Sequence, residues 1–322
     1  MSVSEFDIIK RFFYSDDNHP EHIRVGIGDD AAVISIPDGS EVVSSVDTLN
    51  QDVHFLASIP PAALGYKSLA INLSDLAAMA ALPAWFTLSL SLPEYNEDWL
   101  NEFSAGLKKA ARQFQCPLVG GDTTRGPLSI SIAIHGFVPQ GQALLRSGAK
   151  PGDVIYVSGT LGESGLGLKA LLNPQNNVAD NPLTEELKKY IHAHYYPQPQ
   201  IKLGEILRHF ASACIDLSDG FVADLSHLLE ASQVGANIQF DEIPTPLVCT
   251  TEQQRIAAIT AGEDYELCFC MAKDKEAEFL SAITGQHNVK KVGEVVRQQD
   301  MKVINNQGRE ITLQHTGWDH FG

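Results

Sequence analysis

Basic residues are scarce in this chain: 23 lysines and arginines stand against 40 aspartates and glutamates, a net charge of −17 over 322 residues. Binding a nucleic-acid backbone needs a basic footprint, so this balance excludes nucleic acid as a partner. An acidic protein that handles phosphate has to bridge like charges with metal ions. Cysteine is thin as well. The five are scattered and odd in number, which fits a reducing cytoplasm and not a disulfide framework. Cys268 and Cys270 share one face of an expected strand, and no second Cys/His pair completes a zinc set, so both read as core. No apolar run reaches transmembrane length, which speaks against a membrane partner. Residues 1–13 carry Glu5 and Asp7 in an amphipathic pattern and lack the basic start and apolar core of a signal peptide. The glycine-rich run over 159–167 is followed by no Gly-Lys-Ser/Thr and is therefore no Walker A loop.

What is present is an ordinary globular composition, 44% hydrophobic and 20% charged, with length enough for two domains. The apolar spacing predicts a helix over 4–14, a long and nearly uncharged helix over 62–82 stopped before Pro83, and an amphipathic helix over 97–114. A helix apolar on nearly every side is buried. Short strands are expected at 25–27, 31–36 and 41–46, and alternating strands at 85–92 and 128–138. Turn residues cluster at Gly148-Ala149-Lys150-Pro151-Gly152-Asp153, so the domain boundary is placed there, giving 1–148 and 149–322. Beyond it, strands are expected at 154–157, 265–271 and 289–296, and helices at 183–194, 201–210 and 221–232. Strands that alternate with helices, some of them adjacent, indicate an α+β or α/β sandwich.

Acids recur at the ends of these elements. In Val25-Gly26-Ile27-Gly28-Asp29-Asp30 two adjacent carboxylates follow two glycines. Such a pair about 4 Å apart costs roughly 4 kcal/mol at an effective dielectric near 20 unless water or a cation offsets it. A lone Gly-Asp pair is ordinary turn chemistry. Here it is joined by Ser45-Val46-Asp47, by Asp75 inside the apolar helix, by Gly120-Gly121-Asp122, by Asp216 and Asp219, and by Glu263-Asp264. Asn72 and Asp75 share a helix face, and a carboxylate in so apolar a helix needs a partner or a metal. A series of acids beside glycines or apolar runs suggests a shared hard-cation site, and carboxylates suit Mg²⁺.

The ordered set Gly26-Ile27-Gly28-Asp29-Asp30, Asp47-Thr48-Leu49, His54-Phe55, Asn72-Leu73-Ser74-Asp75, Gly120-Gly121-Asp122-Thr123-Thr124, Arg146-Ser147-Gly148, Asp216-Leu217-Ser218-Asp219-Gly220, Gly262-Glu263-Asp264-Tyr265-Glu266 and Gly317-Trp318-Asp319 resembles the thiamine-monophosphate kinase family. That family sits within the aminoimidazole ribonucleotide synthetase-like superfamily. The resemblance implies an α+β fold of two α/β-sandwich-like domains, the N-terminal one binding nucleotide and metal and pairing its sheet with a second copy into a dimer barrel. It implies Mg²⁺-assisted transfer of the γ-phosphoryl of ATP to thiamine monophosphate, the last step of thiamine diphosphate biosynthesis. By matching position, Asp30, Ser45, Val46, Asp47, Asp75, Asp122, Asp216 and Asp219 form the magnesium shell. Val46 stands where relatives often carry Thr, so its contact there falls to the backbone carbonyl. Gly121, Asp122, Arg146 and Ser218 are the ATP contacts, with Asp122 and Arg146 catalytic. His54, Glu263 and Trp318 are the substrate contacts.

The residue types agree with that chemistry. Phosphoryl transfer is mostly positioning and charge neutralisation, and a phosphate acceptor is already ionised at neutral pH, so the site needs no general base. Two other readings stay open at this point: another ATP-dependent synthetase of the superfamily, and a non-catalytic nucleotide- or metal-binding module. Selenophosphate synthetases, members of that superfamily, carry a reactive Cys or selenocysteine near the N-terminus, whereas the first cysteine here is Cys116.

Overall fold

The computed structural model describes residues 4–14, 20–173, 184–313 and Gly317. The chain divides into two compact units, Met1–Leu76 with Ala81–Ala143, and Ala77–Ala80 with Leu144–Gly322.

The first unit begins with α1 (Glu5–Ile8), capped by Ser4 and Asp7 in a reciprocal capping box and continued by a π-helical turn to Phe13. Two short strands follow, β1 (Ile23–Val25) and β2 (Val33–Ile34), and then the long β3 (Ser40–Asn50). Helix α2 (Pro61–Ala78), β4 (Leu82–Leu92), α3 (Glu97–Gln113), β5 (Leu118–Arg125) and β6 (Ser129–Pro139) complete it. The sheet order is β3-β6-β4-β5, with β4 and β5 parallel and the rest antiparallel. One sheet face is the core, where Phe86, Leu88, Leu90, Ile130, Ile132 and Ile134 are buried. Helices α2 and α3 touch backbone to backbone, since a Cβ on Gly65 or Gly106 would run into the carbonyl oxygens of Phe103 and Ala62.

Two sequence expectations fail here. The apolar run does not stay helical to residue 82: α2 ends at Ala78, Ala80 turns left-handed, and Leu82 already opens β4. Pro83 therefore lies inside a strand. The sheet tolerates it because the register shifts between Pro83 and Trp85, and β5 pairs only from Phe86 onward. Likewise β3 does not stop at Val46 but pairs with β6 from Ser40 to Asn50.

The second unit holds β7 (Val154–Ser158), α4 (Glu163–Leu172), α5 (Glu185–Tyr195), α6 (Ile201–Leu207), β8 (Ala211–Asp216), α7 (Phe221–Ser232), β9 (Gly235–Gln239), α8 (Glu252–Ile259), β10 (Leu267–Met271), α9 (Glu276–Ala282), β11 (Val289–Val296) and β12 (Met301–Ile304). Its six strands run β12-β9-β11-β7-β10-β8. Both faces are covered. Ile155, Val157, Cys268 and Cys270 pack into one core with α7, while Val154, Tyr156, Phe269 and Met271 pack into the other with α6 and α9. Strands buried on two sides read as continuous apolar runs, as β7 and β10 do. All five cysteines are buried and free, as the sequence suggests.

Candidate active site

In the first unit a cavity of about 940 Å³ has two chemically different walls. Phe6, Ile9, Phe13 and Tyr14 from the first helical segment form an apolar wall, with Lys10 beside them. Gly28-Asp29-Asp30 and Gly120-Gly121-Asp122 form the other. Asp29 Oδ1 accepts the backbone N–H of Asp30 at 2.8 Å. Asp122 sits on β5 opposite Ser89 of β4. The glycine before it is required, because a Cβ on Gly121 would sit 1.9 Å from the Leu88 carbonyl oxygen.

A second polar group lies where β3 meets α2. Ser45 Oγ donates to Asp75 Oδ2 at 2.5 Å, and the Asp47 N–H donates to Asn72 Oδ1 at 3.2 Å. Asn72 is held in turn by donating to the Ser68 carbonyl. The alternation of β3 puts Ser45 and Asp47 on the α2 side and turns the Val46 side chain the opposite way, 64% exposed. At the strand's end the Asn50 N–H donates to His54 Nδ1 at 3.0 Å, which leaves the ring proton on Nε2.

Among the described residues no group of three or more His, Cys, Asp or Glu closes on one point as a metal cage. The arrangement instead offers one or two carboxylates at a time, at Asp29-Asp30, at Asp122 and at Asp75 with Ser45. That donor set suits hydrated Mg²⁺, which keeps several waters and binds through one or two carboxylates plus substrate phosphates.

In the second unit Asp216 ends β8 and is 5% exposed. Asp224, in the first turn of α7, accepts the N–H groups of Asp219 and Gly220 at 3.0 and 3.1 Å. Burial above all, with the nearby Asp219 charge second, pushes Asp224 up to about 7. Arg146 precedes a segment pinned to the end of α7, where Gly148 and Ala149 donate to Ser232 Oγ and that hydroxyl donates to the Arg146 carbonyl. The loop 262–265 is stapled to the turn after β8. Glu263 N–H donates to Ser218 O at 2.7 Å, and Tyr265 N–H donates to Leu217 O at 2.8 Å. Glu263 and Tyr265 both take positive φ, 59° and 52°, a conformation that costs roughly 1–2 kcal/mol per non-glycine residue and persists only where surroundings enforce it. Half-buried Asp264 supplies one such constraint by accepting the Gly162 N–H at 2.8 Å, and desolvation holds its carboxyl well above the usual range. Trp318 lies outside the described residues.

The structure also brings forward residues that motif spacing does not reveal: Asp224, and a buried Ser164–His194 pair beside Glu263. An acid four residues into a helix after Asp-Gly is the single sequence signal that points to Asp224.

Residues 28–138 match the N-terminal domain of AIR synthase related protein, and residues 150–306 match its C-terminal domain. Thiamine-monophosphate kinase of Escherichia coli strain K12 is 43% identical over 327 residues, covering 100% of this chain and 99% of that protein. The chain belongs to the thiamine-monophosphate kinase family. A crystal structure of this family's enzyme from Stenotrophomonas maltophilia K279a superposes with a TM-score of 0.81 at 39% identity, covering 90% of this chain and 93% of that one. Another neighbour, described as AaThiL complexed with AMPPCP and TMP, has a TM-score of 0.78 at 29% identity and covers 89% of each chain. The family's two-domain architecture is that of the two units described above.

Proposed function

We infer that this chain transfers the γ-phosphoryl group of ATP to the phosphate of thiamine monophosphate, giving thiamine diphosphate and ADP. The observation that carries this reading is the 43% identity to a thiamine-monophosphate kinase along the whole of both chains. The structurally similar protein complexed with AMPPCP and TMP supports it. The geometry agrees. A broad cavity with an apolar wall and an acidic, glycine-tight wall suits a nucleotide whose base needs apolar cover and whose phosphates need bridging cations. The acceptor phosphate is ionised at neutral pH, so the residues need only align two phosphates and offset their charge.

In this reading Asp30, Ser45, Asp47, Asp75 and Asp122 hold Mg²⁺ in the first unit, with the Val46 carbonyl beside them. Asp216 and Asp219 are the second unit's metal acids. Bound Mg²⁺ supplies neutralisation of the phosphate charge. Gly121, Arg146 and Ser218 contact ATP, and Arg146 offers a planar fork to phosphate oxygens. His54, Glu263 and Trp318 contact thiamine monophosphate. Residues 1–148 carry nucleotide, metal and dimer contacts, and 149–322 form the C-terminal domain. Among the described residues no helix is long and apolar enough to cross a membrane, and five free buried thiols suit the cytoplasm.

The test is chromatographic detection of thiamine diphosphate from ATP, Mg²⁺ and thiamine monophosphate, with free thiamine as the parallel acceptor. Product is expected from the monophosphate alone. Asp122→Asn should lower turnover roughly 100-fold at saturating Mg²⁺ and leave the melting temperature near wild type. Unchanged turnover would remove Asp122 from the site, and absence of product from wild type would sink the kinase reading.

A further inference from the structure

His194 stands in the last turn of α5, 4% exposed, and its Nδ1 lies 3.0 Å from Ser164 Oγ and 3.5 Å from Glu263 Oε2. Helices α4 and α5 meet closely enough to put it there. A Cβ on Gly167 would sit 2.2 Å from the Tyr190 carbonyl oxygen and 3.0 Å from His194 Cβ. Both polar neighbours converge on the same ring nitrogen. A Ser–His–acid nucleophile relay needs the hydroxyl and the acid on opposite nitrogens, so this trio is no such device. A carboxylate facing Nδ1 instead selects the tautomer with its proton there, because a bare lone pair would repel it. Ser164, itself buried, then holds the ring plane.

We propose that His194 is a positioning residue for thiamine monophosphate, acting through Glu263. This rests on the reading of Glu263 as a substrate contact. The Glu263 side chain is 27% exposed, so it has an outward side for a ligand and an inward side against the ring. Its backbone is fixed by the left-handed φ of 59° and by the 2.7 Å bond to Ser218 O. Such a clamp orients the main chain, and the carboxylate's orientation is set by what its side chain meets. His194 meets it on the inward side, Nδ1 to Oε2. At 3.5 Å the contact is longer than a made hydrogen bond, the state of a pre-set contact that tightens when substrate loads.

The experiment measures kcat and KM separately for thiamine monophosphate and ATP in wild type, His194→Ala, His194→Asn, Glu263→Gln and the double variant His194→Ala/Glu263→Gln. Glu263→Gln is expected to raise KM for thiamine monophosphate. His194→Ala is expected to raise it about tenfold, with KM for ATP within about twofold, the loss of one hydrogen bond to a charged group. Asn presents an N–H near the Nδ1 position, so His194→Asn should recover most of that loss. On the Glu263→Gln background, His194→Ala should add less than about twofold, since the two act through one contact. If Glu263→Gln weakens thiamine monophosphate and His194→Ala does not, the proposal falls and the reading of Glu263 stands. If Glu263→Gln changes nothing, that reading falls and takes the proposal with it. If His194→Ala raises both KM values, lowers the melting temperature and is not relieved by Asn, His194 is a packing residue.

Discussion

Burial above all, opposed by a Ser158 hydrogen bond and aided by the Glu163 charge, makes Glu266 a group that titrates near neutrality. It accepts a hydrogen bond from Ser158 Oγ inside the second unit, and burial pushes its carboxyl from an ordinary 4.5 up to about 7. The folded chain therefore holds a proton on Glu266 between these values that the unfolded chain has released. Its contribution to stability is fully present below about pH 4.5 and is lost as pH rises through 7. Glu266→Gln keeps an acceptor for Ser158 without the charge. The variant should be more stable than wild type at pH 8, by on the order of 2–3 kcal/mol, and so melt higher there, and the gap should largely close by pH 5. Thermal melts at the two pH values check this; a gap that does not depend on pH would show Glu266 staying ionised. The residue scale is also where the sequence is most and least legible. Asp29, Asp30 and Asp122 stand out because glycines flank them, and the Asn72–Asp75 spacing foretells one helix face, the face that meets Ser45 and Asp47. His194 and Asp224 do not stand out. Their meaning comes from packing across helices, which one-dimensional spacing does not carry.

Elements differ in what their composition reveals. Amphipathic α3 announces both its ends, with Asn96 accepting the Trp99 N–H as cap. Apolar α2 hides its C-terminal end, since Met79, Ala80, Ala81 and the start of β4 are equally apolar, and only the left-handed turn at Ala80 separates helix from strand. Strand β5 is hidden for the opposite reason: Gly120-Gly121-Asp122-Thr123 has poor strand propensity, yet it pairs with β4 throughout. Tertiary pairing overrides propensity there because glycine lets the two backbones approach. The expected outcome of Gly121→Ala follows at this scale. A methyl group 1.9 Å from the Leu88 oxygen has to push β4 and β5 apart, at a cost of roughly 2–3 kcal/mol. A denaturant midpoint should register that loss, and turnover should fall with it because Asp122 moves. An unchanged midpoint would mean that the strand pair yields without strain.

For the whole molecule, the decisive surface is the sheet face opposite α2. Its cross-strand rows run Val42–Phe137, Ser44–His135–Trp85, Val46–Ala133–Thr87–Gly120 and Thr48–Ser131–Ser89–Asp122. The face thus grades from apolar to polar, ending at the aspartate of the cavity wall. Val42 and Val46 are 38% and 64% exposed on β3, which is also an edge strand. An exposed apolar patch on a long edge strand is a surface that natural proteins cover. A second copy of the chain laid against this edge is the cover that the family resemblance implies. Val42→Arg tests this without touching a proposed ligand, since its side chain points away from the α2 core. Light scattering after size exclusion should find wild type at twice the chain mass and the variant shifted to monomer at micromolar concentration, with far-ultraviolet circular dichroism unchanged. In a symmetric dimer the substitution enters the interface from both copies, so one change places two charges in it. Wild type running as a monomer at those concentrations would leave Val42 and Val46 as plain surface and remove the barrel from the account.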